Sequence, residues 1–529
     1  MSEVIKLIPG LPTGATVQER IEHGREARKR LPRKAFADWS PPADRPSAVD
    51  LLTSQEGTRV PMLVPVRHAR MAVSPFTFYR GAAIVMASDL GQSPNTDLWA
   101  QLCGDAHLSN FGAFGSAERN LVFDVNDFDE TSPGPFEWDL MRLAASFILA
   151  GRDNQIPDSE SKDFATTAAL AYQKVMMVAA ERPNLANWYT VFTPEQILDY
   201  AQTMLDTKQL QKTRKRLDLT VQKAKSRDTW SAIKKLTEVG PTGQRRFLNQ
   251  PPLLVRVADL PQAAGIKEGM FEALSTTFEQ TLGYDRQALL QRYRLIDVAH
   301  KVVGVGSVGL PALIGLLQGR DDDDLMVLQF KAAEASVLEK WTRPSPFSEH
   351  GQRVVVGQRL MQSSGDPFLG WVTGPRGVHF YGRQLRDFKF SVDLNGLKRG
   401  QFVGYAALCG ATLAMAHARA GDPIALSAYM GKGKSFPNAI AQFAITYANL
   451  TDEDYKEFTT AIADGKLAVD DGTTADAGLV NVTPSDDDDD VTKQDVVEGD
   501  SVEPSAASAA DTLAADAEGK AASTDGAGS

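Results

Sequence analysis

The chain has 529 residues, 43% of them hydrophobic and 8% aromatic, which suffices for two domains or one large two-lobed domain with a substantial core. Only Cys103 and Cys409 are present, which excludes a disulfide scaffold and a cysteine-rich zinc site, and no apolar run is long enough to span a membrane. The net charge of −11 belongs to one end: from Gly465 onward 16 Asp and Glu stand against 3 Lys, a net of −13, which leaves about +2 for everything before.

Residues 1–50 are Pro-rich and polar, with a basic run from His23 to Lys34, and read as a partly disordered helical arm. The opening MSEVIKLIPGLPTG lacks the charged head and apolar core of a secretory signal, so a reducing cytoplasm is the expected location. From Thr58 the chain becomes denser in apolar residues and carries Arg67, Arg70 and Arg80 beside aromatics. These arginines suit either a bound phosphate or buried carboxylates.

Two acidic clusters follow, Gly104-Asp105-Ala106-His107-Leu108-Ser109-Asn110 and Asn126-Asp127-Phe128-Asp129-Glu130. Leu121 to Val125 alternates between them like a short strand, and Trp138 to Ala144 has the apolar spacing of a helix. An Asp with an Asn five residues on, then a strand delivering further Asp residues, is the set that phosphoryl transfer from a magnesium nucleotide requires. One carboxylate takes the acceptor's proton, while Asn and a second carboxylate hold metal. The plainer alternative is a group of turn-forming Asx side chains.

Residues 155–235 read as helical, broken at Pro183-Asn184. The Lys/Arg-rich stretch from Lys208 to Lys235 lacks interleaved aromatics and reads as a solvated helix, not a nucleic-acid face. Residues 240–262 read as loop and Phe271 to Ala299 as helix. Val302-Val303 then leads into Gly304-x-Gly306-x-x-Gly309, an apolar run from Ala312 to Leu317, a charged turn, and Leu325 to Lys331. The expected order is strand, glycine turn, strand, hairpin, strand. Glycines admit phosphate oxygens to backbone amides, and Lys331 on the neighbouring strand can neutralise phosphate charge. A dinucleotide fingerprint needs a helix after the glycines, and Pro311 with a strand-like run fits that poorly. Residues 352–392 read as a helix and an antiparallel pair, Gln401 to His417 as a packed helix, and Ala441 to Ala463 as a terminal amphipathic pair. The acidic stretch beyond Gly465 reads as disordered.

The segments RMAVSPFTFYRGAA, GDAHLSNFG, FDVNDFDE, PGPFEWDLMRLAASF, VGVGSVG, LQFKAAEASVLE, QRVVVGQRLMQ and FYGRQLRDFK closely resemble an uncharacterised bacterial family, domain of unknown function 2252. GDAHLSN is also similar to the G-D-x-H-x-x-N loop of the aminoglycoside and choline kinase group. That resemblance implies Asp105 as catalytic base with His107 beside it, and Asn110 as a metal ligand, with Asp127 and the nearby Asp129 on the metal. Asp139 would be a structural anchor. It further implies ATP and Mg²⁺ as cofactors and an unidentified small-molecule or protein acceptor, with Gly304, Gly306, Gly309 and Lys331 on the nucleotide. Glu334 or Glu339 would be the acid partner of Lys331. Cys103 stands where such kinases have His, and the catalytic-type loop precedes the glycine turn. The expected fold is therefore an α+β, protein-kinase-like, two-lobed and circularly permuted one: a mainly helical part over 51–294, a β part over 295–390, helices over 391–464 returning to the first, and the tail over 465–529. Two other functions fit the residues: a non-catalytic nucleotide-binding module, and a metal-dependent hydrolase built from Asp105, His107, Asp127 and Asp129.

Overall fold

The computed structural model describes residues 14–202, 214, 221–222, 229–241, 243–251, 253–259, 269–302, 308–385 and 392–470. It is a mixed α+β structure, 51% helix and 15% strand, so most of the sheet is concentrated in one six-stranded element. Gly304, Gly306, most of Lys208 to Lys235 and the tail from 471 onward lie outside the described residues.

The principal core is built on the helices Glu137–Asp153, Asp158–Glu181, Arg399–Arg419 and Ser435–Ala463. Small residues let them approach closely: a Cβ on Gly410 would fall 2.1 Å from Ala168 O. Within the N-terminal stretch, residues 17–30 form a helix packed on the body of the protein. Helix Val17–Arg30 opens on a capping box between Thr16 and Glu19, and it lays Gly24 and Ala27 against helix Pro423–Met430. A Cβ on Gly24 would fall 2.1 Å from Ala425 O, so that contact needs the glycine. The sequence hides it because only small residues make it. The expected terminal pair is one helix, Ser435–Ala463, since no Gly or Pro interrupts it after Pro437 in its first turn.

The sheet has the order β11-β12-β10-β9-β8-β7, antiparallel throughout. Its strands are β7 Leu254–Arg256, β8 Arg294–Lys301, β9 Ala312–Gln318, β10 Leu325–Ala332, β11 Gly370–Thr373 and β12 His379–Gln384. Helix His350–Met361 lies between β10 and β11 in sequence. Two expectations are corrected here. Residues 240–262 hold short strands (Arg245–Phe247 and β7), and Phe271 to Ala299 is two helices followed by β8. The first helix ends at Glu279 and Gly283 caps the start of the second, and β8 carries a register shift between Leu295 and Asp297 that obscures its two-residue alternation.

Both faces of β10 are buried, which suits an apolar run with no polar face. Met326, Leu328 and Phe330 face helix Met270–Glu279, where Phe330 meets Phe271 and Phe278 edge-on at 5.0 Å each. Each such aromatic pair adds about 0.5–1.5 kcal/mol beyond burial. Leu325 and Val327 pack the other way, with Ile233 and Phe247. The elements covering the sheet therefore begin well before residue 295. By the same alternation Lys331 leaves the sheet on the face opposite Phe330, directly across from Tyr381 of β12.

Candidate functional site

Four short strands hold the acidic segments: β1 Trp99–Leu102, β2 Phe111–Gly115, β3 Leu121–Val125 and β4 Ser132–Pro135. β1 pairs with β4 and β2 with β3, so the two acidic loops leave adjacent ladders side by side. Gly104 makes this possible. Its φ is +85° and a Cβ there would sit 2.1 Å from Glu130 O, so no other residue fits without moving a backbone.

One face of helix Glu137–Asp153 grips the first loop at positions three and four residues apart. Asp139 accepts from Cys103 N at 2.8 Å and Gly104 N at 3.0 Å, Arg142 donates through Nε to Asp105 Oδ1, and Ser146 Oγ accepts from Leu108 N. Asp139 is fixed in turn by His417 Nε2 at 3.2 Å, whose Nδ1 meets the Tyr172 hydroxyl at 2.8 Å. His417 is thus a satisfied core residue. Cys103 is buried, and burial followed by Asp139 pushes its thiol well up, which leaves it a poor nucleophile.

The structure gathers Asp105, His107, Asn110, Asp127, Asp129, Glu130 and Glu334 on one cleft of about 960 Å³, part of it open to solvent. Ala332, adjoining Lys331, lines it, as does Leu310, adjoining Gly309. Gly309 has φ +97° and its carbonyl accepts from Val60 N, so the described end of the glycine turn is tied to the cleft's rim. The partner of Lys331 is Asp129. Lys331 Nζ pairs with Asp129 Oδ2, and Tyr381 donates its hydroxyl to Asp129 Oδ1 at 2.8 Å. Burial alone would raise Asp129, but the Lys331 ammonium and the Tyr381 hydroxyl outweigh it and its pKa is lowered. Burial opposes the charge on Lys331, yet Asp129 holds its pKa above the ordinary value.

Neither acid expected to serve Lys331 does so. Glu339 accepts from Ser336 N and Ser345 N and lies 3.5 Å from Arg353 Nε, whereas Glu334 lines the cleft. Three residues without an expected role help build the junction. Tyr381 stands opposite Lys331, Arg142 follows one turn after Asp139, and Arg353 of helix His350–Met361 donates to the carbonyls of Asp129, Thr131 and Glu334. Arg142 had a legible signal, an Arg three residues after the anchoring Asp in WDLMR. Arg353 had none.

Asp105 is raised, chiefly by burial and also by Asp127, against the pull of Arg142. Glu130 is pushed up to about 7 by burial, with Asp129 and Asp105 adding to it. Its Oε2 accepts from Val337 N at 2.8 Å. His107 is driven well below its usual value by burial, then by Arg80 and Arg142, and is neutral, with Nε2 3.7 Å from Asp105 Oδ2. Asn110 donates its amide to Asp105 O at 2.8 Å, which leaves Oδ1 as its acceptor. Asp127 Oδ1 accepts from Asp129 N in an Asx turn. Of the three residues expected on metal, Asp129 is engaged by Lys331 and Tyr381, while Asn110 and Asp127 have no ion pair among the described residues.

Among the described residues no group of three or more His, Cys, Asp and Glu could hold a metal by itself, and no helix is long and apolar enough to cross a membrane. No curated protein and no solved structure matches the chain. Residues 59–461 match the family described as an uncharacterized protein conserved in bacteria (DUF2252), and the chain belongs to that family.

Proposed function

We propose that the cleft binds a magnesium nucleotide and passes its terminal phosphoryl group to a hydroxyl acceptor, on a circularly permuted protein-kinase-like arrangement. The observation that carries this reading is the ion pair of Lys331 with Asp129. β10, the third strand of the run β8-β9-β10, brings a Lys to the second acidic loop, as protein kinases carry their phosphate-contacting Lys on the third strand of the lobe that bears the glycine-rich loop. Helix His350–Met361 then follows that strand.

In this reading Asp105 orients or deprotonates the acceptor hydroxyl, and burial raises its pKa above the ordinary carboxylate value. Asn110 and Asp127 supply oxygen ligands to Mg²⁺, which takes one or two protein groups, phosphate oxygens and water, and so needs no all-protein cage. Bound there, the ion neutralises charge on the phosphates. Lys331 contacts the α- and β-phosphates and Asp129 positions it. The hydrolase alternative fares worse, because Asp129 is already engaged by Lys331 and Tyr381.

One observation favours a non-catalytic nucleotide-binding module instead: Arg142 bonds the carboxylate of Asp105, and an ion-paired Asp is a weaker base. Calorimetric titration with ATP, with and without Mg²⁺, tests the reading common to both. Binding that requires Mg²⁺ is expected, and no binding at millimolar ATP overturns it. Loss of turnover in Asp105→Asn with binding intact selects the transferase over the module.

A further inference from the structure

We propose that Arg59, Arg67 and Arg80 form a subsite in the same cleft for a phosphate-class oxyanion. The site goes beyond the nucleotide reading and does not depend on it.

All three arginines line the cleft, and none forms an ion pair among the described residues. Arg67, from helix Val64–Met71, is 1% exposed. Its Nη2 donates to Gly81 O at 2.8 Å and reaches Gln55 Oε1 only at 3.5 Å, while Nε and Nη1 have no partner. Arg59 is 7% exposed, gives Nη1 to Val308 O, and leaves Nε unpartnered. Arg80 likewise has a buried, unpartnered Nε, with its guanidinium 6.0 Å from the Phe76 ring centre. The nearest acid to Arg67 is no substitute, because Glu56 is held by His68 Nε2 at 3.0 Å.

A buried guanidinium without a counter-charge is costly, and here several neighbour one another. Burial and then Arg59 press Arg67 down to about 9, still charged at neutral pH. Such an arrangement is retained where a ligand completes it. Three planar donor forks lining one cleft match the oxygens of a phosphate better than a single carboxylate. Arg80 also lies close enough to Asp105 to lower its pKa, so the anion would sit beside the proposed base. Its source is either the terminal phosphate of the nucleotide or an anionic group on the acceptor.

The test is calorimetric titration of the full chain with inorganic phosphate, alone and in the presence of MgADP or MgATP. Wild type is expected to bind phosphate saturably, and Arg67→Lys and Arg80→Gln to bind it at least about tenfold weaker while keeping the wild-type circular dichroism. Arg67→Met should melt no lower than wild type, since it removes an uncompensated buried charge. Phosphate excluded by MgATP but admitted with MgADP identifies the nucleotide's terminal group as the source. Phosphate admitted beside MgATP identifies the acceptor. Phosphate bound without any binding of MgATP leaves this subsite standing and the nucleotide reading overturned. No phosphate binding by wild type, or wild-type phosphate binding by both Arg67→Lys and Arg80→Gln, overturns the subsite even if MgATP binds normally.

Discussion

Lys331 and Asp129 stand 202 residues apart in sequence and form an ion pair inside the protein, with Tyr381 completing the carboxylate's coordination. Removing one member of a buried pair strands the other, at about 3–5 kcal/mol where water is excluded. Asp129 keeps part of its side chain in contact with the cleft, so the lower end of that range applies. Lys331→Met and Asp129→Asn should each lower stability in urea denaturation, and the double variant should lose clearly less than the two losses added together. Strict additivity would show that the pair carries no energetic coupling.

Gly104 gives the sharpest backbone prediction. Gly104→Ala meets both a positive φ and a carbonyl oxygen at 2.1 Å, so it should destabilise by several kcal/mol or abolish folding. Gly404 lies exposed in helix Arg399–Arg419 with open space around it, and Gly404→Ala should stabilise by about 0.5–1 kcal/mol. Thermal melts of the two variants decide the matter. Equal effects would mean that the two acidic loops are not packed as described.

Much of this junction was legible from residue types, and some of it was not. The acidic loops, the strand that ends in Lys331 and the hairpin before it all follow from local alternation and turn chemistry. The partner of Lys331 did not, because it is set by the β10–β12 register and by how the sheet docks, neither of which has a local signature. The nearest acids in sequence, Glu334 and Glu339, were the wrong guide for that reason. The packing of helix Val17–Arg30 has little signature in sequence because its contact is made by Gly24 and Ala27, which leave a polar-looking segment. Arg59, Arg67 and Arg80 were visible as charges, but whether carboxylates neutralise them is a three-dimensional question. Among the described residues none of the three forms an ion pair, although Glu334 acts on the charge of Arg59 and Asp105 on that of Arg80.

Buried acids should set the acid side of the stability profile. Burial pushes Glu137 and Glu130 up to about 7 from 4.5. A carboxyl whose folded pKa is raised stabilises fully below its unfolded value, and loses that contribution as pH rises from about 4.5 through about 7. Glu137 accepts from Thr96 N and from the Thr96 hydroxyl, contacts that a Gln retains on one side and can reverse on the other. Glu137→Gln should therefore flatten the fall in unfolding free energy between pH 5 and 7, by up to roughly 3 kcal/mol across the window. An unchanged slope in denaturant titrations at several pH values would show that Glu137 does not titrate there.

Asp105→Asn keeps the size of the side chain and an acceptor for Arg142 but removes the basic oxygen. It should bind MgATP within a few-fold of wild type and lose about 100-fold or more in phosphate release or transfer. Unaltered turnover would move the catalytic role elsewhere in the cleft.

The central claim is that residues near position 105 and residues near position 331 serve one ligand. Calorimetric titration of MgATP into wild type, Asp127→Asn and Lys331→Ala tests it most directly. The account predicts Mg²⁺-dependent binding in wild type and a loss of at least about tenfold in each variant, because Lys331→Ala removes a charge-assisted contact to the nucleotide and Asp127→Asn weakens the hold on its Mg²⁺. Wild-type affinity in both variants would contradict it.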